Sequence, residues 1–174
     1  MWARHKSPAQ LANSTLSSAT LKVGQRAPVL NVEDLDGHKL RINWKSDTKR
    51  PTLVYIFRES CSWCARNMAN IRALSADPSL RGQVIGLSLS DDDLQTYVKK
   101  NSLVFPVYKS ADDPNGHKIK ADGTPETFVI SSDGMVTDHW LGAYGGDVKE
   151  DIEQKFNIHL PGLPDETSTP KASM

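Results

Sequence analysis

Cysteine is scarce in this chain. Its 174 residues hold two, Cys61 and Cys64, so neither a disulfide framework nor an all-thiolate zinc site can be built. Zinc would need two further ligands, and His5, His38, His117, His139 and His159 are scattered, none at ligand spacing from the cysteines. Net charge is missing too. Lys+Arg and Asp+Glu both number 21, which argues against the basic surface of a nucleic-acid binder and against long-range steering of charged partners. No run approaches the ~18 apolar residues of a membrane helix, so no membrane contact is expected within the chain. The opening MWARHKSPAQLANSTLSSAT has no apolar h-region and shows no signal peptide, although an anchor removed upstream would leave the same sequence.

What is present reads as one globular domain with polar ends. Residues 1–20, rich in Ser, Ala and Thr, and residues 161–174, opening on Pro161-Gly162-Leu163-Pro164, read as flexible tails around a body at 21–160. Leu35-Asp36-Gly37-His38 is a turn signal followed by the alternating Lys39-Leu40-Arg41-Ile42, which predicts a β-hairpin. Residues 52–57 are almost continuously apolar, as in a strand covered on both faces, and 83–89 repeat the pattern. Between them Met68, Ile71 and Leu74 recur at helical spacing until Asp77-Pro78. Asp91-Asp92-Asp93 suits a helix N-terminus ahead of Leu94, Tyr97 and Val98. Pro106 makes 104–108 an edge strand or a loop. A second hairpin spans 127–141, and Val148, Ile152 and Phe156 mark a last helix. This order predicts an α/β fold with a mixed central sheet, helices on both faces and an N-terminal β-hairpin.

The chemistry concentrates at Cys61-Ser62-Trp63-Cys64. Two thiols at this spacing read as a reversible dithiol/disulfide pair, placed where the strand 52–57 hands over to a helix. Unpaired N–H groups at a helix start favour a thiolate, which assigns Cys61 as the attacking nucleophile. Cys64, nearly a turn further in, is the less exposed resolving thiol. Trp63 either anchors a partner or packs on the domain's own surface. Trp44 and Trp140 read as core, and Glu59 as a solvated loop residue.

The dithiol motif followed about 60 residues later by Gly123-Thr124-Pro125-Glu126-Thr127-Phe128 resembles the thioredoxin superfamily. The VGQRAP opening, the Leu-Asp-Gly hairpin, the extra strand–helix segment and the G-T-P-x-T-F-V-I-x-x-x-G run are similar to its TlpA/ResA-like branch (redoxins, related to AhpC/TSA proteins), over roughly residues 22–160. The resemblance implies a three-layer thioredoxin-like fold with Pro125 as a cis-proline against the dithiol. Thr124 would offer its backbone to an extended partner segment, as in β-augmentation. It further implies a monomer that exchanges disulfides with protein substrates and a protein electron donor, outside the cytoplasm. No cofactor is expected beyond the Cys61–Cys64 disulfide.

Departures from the family pattern matter. Ser60 and Trp63 stand where thioredoxins commonly have Trp and Pro. The buried acid six positions before the first cysteine is Tyr55, and the glutamate that some ResA-like proteins carry six positions after it is Asn67. Glu126 is then the candidate proton acceptor for Cys64. Three alternatives stay open. A peroxiredoxin-like peroxidase shares the VGQRAP opening, yet its Pro-x3-Thr-x2-Cys pattern meets Val54 and Arg58 here. A non-catalytic module could hold a client or a metal in the Pro125 groove. Sco-type copper delivery, with His139 as the distant ligand, uses Cys-x3-Cys spacing instead.

Overall fold

The computed structural model describes residues 21–90, 93–110 and 121–164. Among these residues seven strands form one sheet in the order β2-β1-β5-β4-β3-β6-β7. The N-terminal hairpin pairs β1 (Leu30–Glu33) with β2 (Lys39–Ile42). Its turn is held by Asp34, whose Oδ1 accepts from the N–H groups of Asp36 and His38, both at 2.9 Å, while Gly37 takes φ +87°.

Strand β3 (Thr52–Phe57) is the axis of the molecule. Leu53, Tyr55 and Phe57 point to one face and Val54 and Ile56 to the other, and all five are buried. It pairs in parallel with β4 (Val84–Ser88) and antiparallel with β6 (Glu126–Ile130), which turns back into β7 (Val136–Leu141). The mixed sheet and the thioredoxin-like α/β class stand as the sequence implies.

Two features differ from the sequence reading. First, β5 (Val107–Ser110) is an interior strand, parallel to β4 and antiparallel to β1. Pro106 stops one residue short of it, so no ladder donor is lost, and its carbonyl accepts from Gly86 N–H at 2.8 Å. Second, the helical stretch after Cys61 is two helices, α1 (Ser62–Arg66) and α2 (Met68–Ala76), joined at Asn67. Among the described residues α1, α2, α3 (Leu94–Lys100) and α4 (Gly146–Phe156) all contribute to the cluster that includes Tyr55 and Phe57. The opposite cluster is closed by Leu21, Ala27 and Trp44, whose indole N–H donates to the Pro28 carbonyl at 2.6 Å.

Asp93 caps α3 by accepting from Thr96 N–H at 3.0 Å. Asp91, Asp92, His5 and His117 lie outside the described residues. At the C-terminal end the packing continues past the expected boundary at 160: Leu163 is buried, and Gly162 N–H donates to Asn70 Oδ1 at 2.8 Å. No helix among the described residues is long and apolar enough to cross a membrane.

Candidate active site

The site forms where β3 ends. Cys61 N–H donates to the Arg58 carbonyl at 3.2 Å, closing a tight turn that sets Cys61 as the extended N-cap of α1. Cys61 and Cys64 form a disulfide with Cα atoms 5.2 Å apart. The two sulfurs are unequal, since Cys61 is half-buried and Cys64 is fully buried in the core with Met68 and Ile71. Cys64 N–H donates to Cys61 Sγ at 3.1 Å. That single amide favours negative charge on the Cys61 sulfur, whereas the five-residue α1 is too short for a full macrodipole.

From the other side of the fold, the Thr124 carbonyl oxygen comes within 3.3 Å of Cys61 Sγ. This contact is a hydrogen bond only when Cys61 carries its thiol proton. The Thr124–Pro125 peptide bond is cis. Pro125 is buried, and its carbonyl accepts from Gly142 N–H at 2.8 Å, which ties the start of β6 to the end of β7. Beside the disulfide opens a groove of about 420 Å³ lined by Trp63, Gly123, Thr124, Leu141, Ala143 and Leu163. Trp63 is 49% exposed with the Arg66 guanidinium 4.3 Å from its ring centroid, and Leu141 is 50% exposed. The fold thus gathers Cys61, Cys64, Trp63, Thr124 and Pro125 in one place.

Glu126 lies elsewhere. Along β6, Thr127 and Val129 face the cluster that holds Cys64, so Glu126 and Phe128 face away from it. The buried Glu126 carboxylate meets His139 Nε2 at 2.6 Å and accepts from Asp122 N–H at 3.1 Å, while the His139 ring stacks on Phe128 with centroids 4.5 Å apart. The groups packed on the Cys64 face are instead Tyr55, Asn67, Asn70 and Tyr144. Burial raises the Tyr55 phenol far above its ordinary value, with the Asn67 side chain near enough to oppose that shift. Tyr55 Oη and Asn67 Nδ2 are nonetheless buried without a well-formed hydrogen bond. Glu59 is no solvated loop residue, since its carboxylate accepts from the Ser88 hydroxyl at 2.8 Å and helps push Tyr97 up to about 12 behind the larger effect of burial.

The AhpC/TSA family model matches residues 23–139, more than half of the chain. The chain belongs to the AhpC/TSA family. No curated protein matches it. Among solved structures, this AhpC/TSA chain is similar to the thioredoxin domain of a thiol-disulfide oxidoreductase from Bacteroides vulgatus (TM-score 0.58, 19% identity, 79% of this chain and 100% of that one). A thiol:disulfide interchange protein from Bacteroides sp. gives TM-score 0.59 at 19% identity over 79% and 91%. A peroxiredoxin-like protein from Aquifex aeolicus gives 0.56 at 14% over 82% and 90%. At these identities the likeness establishes the thioredoxin-like fold.

Within this AhpC/TSA chain the sequence reading passed over Asn70, Tyr144 and Leu163. A usable signal existed for the first: a polar residue inside the apolar stripe Met68, Ile71, Leu74 calls for a buried partner. Glu126 carries a prediction about stability. Burial, the largest influence, raises its pKa above the ordinary 4.5 despite the His139 bond. A raised folded pKa means the native state holds the proton more tightly, so stability falls as pH climbs from 4.5 through the folded value. Glu126→Gln has no such proton. Its melting temperature relative to wild type should therefore rise as pH climbs from 4.5 through the folded value; a difference that falls as pH climbs would show the His139 pair outweighing burial.

Proposed function

We propose that the protein is a thiol-disulfide oxidoreductase that exchanges disulfides with protein partners through Cys61 and Cys64. The observation that carries this reading is the half-buried Cys61 sulfur set between the Cys64 amide and the Thr124 carbonyl, at the mouth of an open groove. In the reduced protein the Cys61 thiolate attacks a client disulfide. One client sulfur leaves and takes up a proton, and the other is joined to Cys61. The Cys64 thiolate, formed by loss of its proton, then attacks the Cys61 sulfur and releases the second client thiol, so that two electrons have passed from the dithiol to the client. Turnover needs a protein electron donor to reduce the pair again, and the chemistry requires no cofactor beyond the two sulfurs. An extracytoplasmic compartment fits a chain with no other thiol to protect, and a monomer suffices because each catalytic group comes from one chain.

Equilibrating the protein in dithiothreitol or glutathione buffers of defined poise tests this directly. A reversible Cys61–Cys64 couple is expected. A potential near the roughly −270 mV of thioredoxin would mark a reductant, and one near the roughly −120 mV of DsbA a disulfide donor. A pair that forms no disulfide at any poise would sink the reading. Family membership and the Aquifex aeolicus likeness favour a second reading, a thiol peroxidase, which catalytic consumption of hydrogen peroxide by the reduced protein would reveal.

A further inference from the structure

Besides Gly123 and Thr124, three separate pieces of chain wall the groove beside Cys61. They are α1 with Trp63, the segment leaving β7 with Leu141 and Ala143, and the C-terminal stretch that carries Leu163. The last two lie outside the residues 23–139 that the family model matches. All three are tied together by two fully buried side chains, Asn67 and Asn70. Asn67 Oδ1 accepts from Tyr144 N–H at 2.8 Å and from Asn70 Nδ2 at 3.0 Å. Asn70 Nδ2 also donates to the Tyr144 carbonyl at 3.1 Å, and Asn70 Oδ1 accepts from Gly162 N–H at 2.8 Å. The same clasp therefore fixes the bend after α1, the 141–145 wall and the wall that carries Leu163.

We infer that Leu163 is a specificity-determining residue of this groove, with Asn70 as the positioning residue that holds it. Together with Trp63 and Leu141, it selects an extended client segment with an apolar side chain next to the cysteine that pairs with Cys61. This inference rests on the exchange reading above. The groove is continuous with the sulfur: Thr124 lines it, and the Thr124 carbonyl is 3.3 Å from Cys61 Sγ, so an occupant lies within covalent reach of Cys61. Among the described residues no charged side chain lines it, and a charged client residue would give up hydration there without a partner from them. Two large apolar side chains, Trp63 at 49% and Leu141 at 50% exposure, stand at its lip with surface left to cover.

The test uses the reduced full-length protein and two disulfide-linked peptides, identical except for Leu or Ser beside the cysteine. Burying the leucine side chain should favour the Leu peptide in kcat/KM by about tenfold or more. Leu163→Ser should bring that ratio toward one, Leu163→Met should restore it, and Asn70→Ala should lower it through Leu163. Thermal melts check that each variant is folded, and the two Leu163 variants decide the matter alone if Asn70→Ala is not. A ratio that Leu163→Ser leaves intact, or equal loss for both peptides, overturns the inference. Binding of the Leu peptide with its cysteine replaced by serine, followed at the Trp63 indole by NMR, needs no exchange. Binding that depends on Leu163 in a protein that exchanges neither peptide would reject the exchange reading and keep this one. Tighter binding after truncation at residue 164, or a dimer that the peptide dissociates, would assign the groove to the chain's own end or to a second copy and overturn the proposal.

Discussion

Cys61→Ser should lower disulfide exchange by at least ~10³-fold, the scale on which loss of a covalent nucleophile acts in enzymes. Cys64→Ser should behave differently, completing the first step and stopping there. The asymmetry follows from exposure. Cys61 is half-buried at the groove mouth and can meet a client sulfur, whereas Cys64 is fully enclosed by core side chains and can meet only Cys61. With Cys64 gone, a client attacked by Cys61 stays attached, and mass spectrometry after rapid alkylation should find the mixed disulfide on Cys61. Both substitutions preserve volume closely, so cooperative melting should persist in each. If Cys61→Ser traps the client and Cys64→Ser does not, the two roles are reversed. Insulin reduction that proceeds unchanged in Cys61→Ser removes the enzyme altogether.

The parts of this site that could be read from sequence are those built by near neighbours. Cys61 and Cys64 are three apart, and the apolar run before them fixes where the strand delivers them. Thr124 and Pro125 came from a motif match, and the fold brings them to the sulfur. Glu126 shows where this kind of reading breaks down. Adjacency to Pro125 suggested adjacency to Cys64, but consecutive residues of a strand face opposite sides, and in β6 it is Thr127 that shares a face with Cys64. Strand β5 was undervalued for a related reason. A proline counts against an interior strand only when it occupies a ladder position, and Pro106 sits just before one. Asn67 and Asn70 act through Tyr144 and Gly162, partners that only the folded chain brings near.

The largest loss of stability should come from Phe57→Ala. Phe57 is fully buried in the axial strand, stacked on Tyr97 at 5.3 Å and on Tyr55 at 5.7 Å between ring centroids. Truncating a core phenylalanine costs about 3–5 kcal/mol, a large share of the roughly 5–15 kcal/mol that holds such a domain together. Gly86, on the neighbouring strand, offers a way to show that the lost volume is the cause. A Cβ built there would lie 3.2 Å from Phe57 Cε1, 3.1 Å from Phe105 Cε2 and 3.2 Å from Val107 Cγ2. Gly86→Ala alone should therefore be overpacked, at about 1–3 kcal/mol. In the Phe57→Ala background one of those three contacts is gone and the added methyl enters the space it leaves. The double variant should be less destabilised than the sum of the singles by at least about 0.5 kcal/mol. Denaturant unfolding with matched slopes measures all four proteins. Strict additivity would mean that Phe105 and Val107 alone set the limit at Gly86, and that the cavity left by Phe57 collapses from the Tyr55 and Tyr97 side instead.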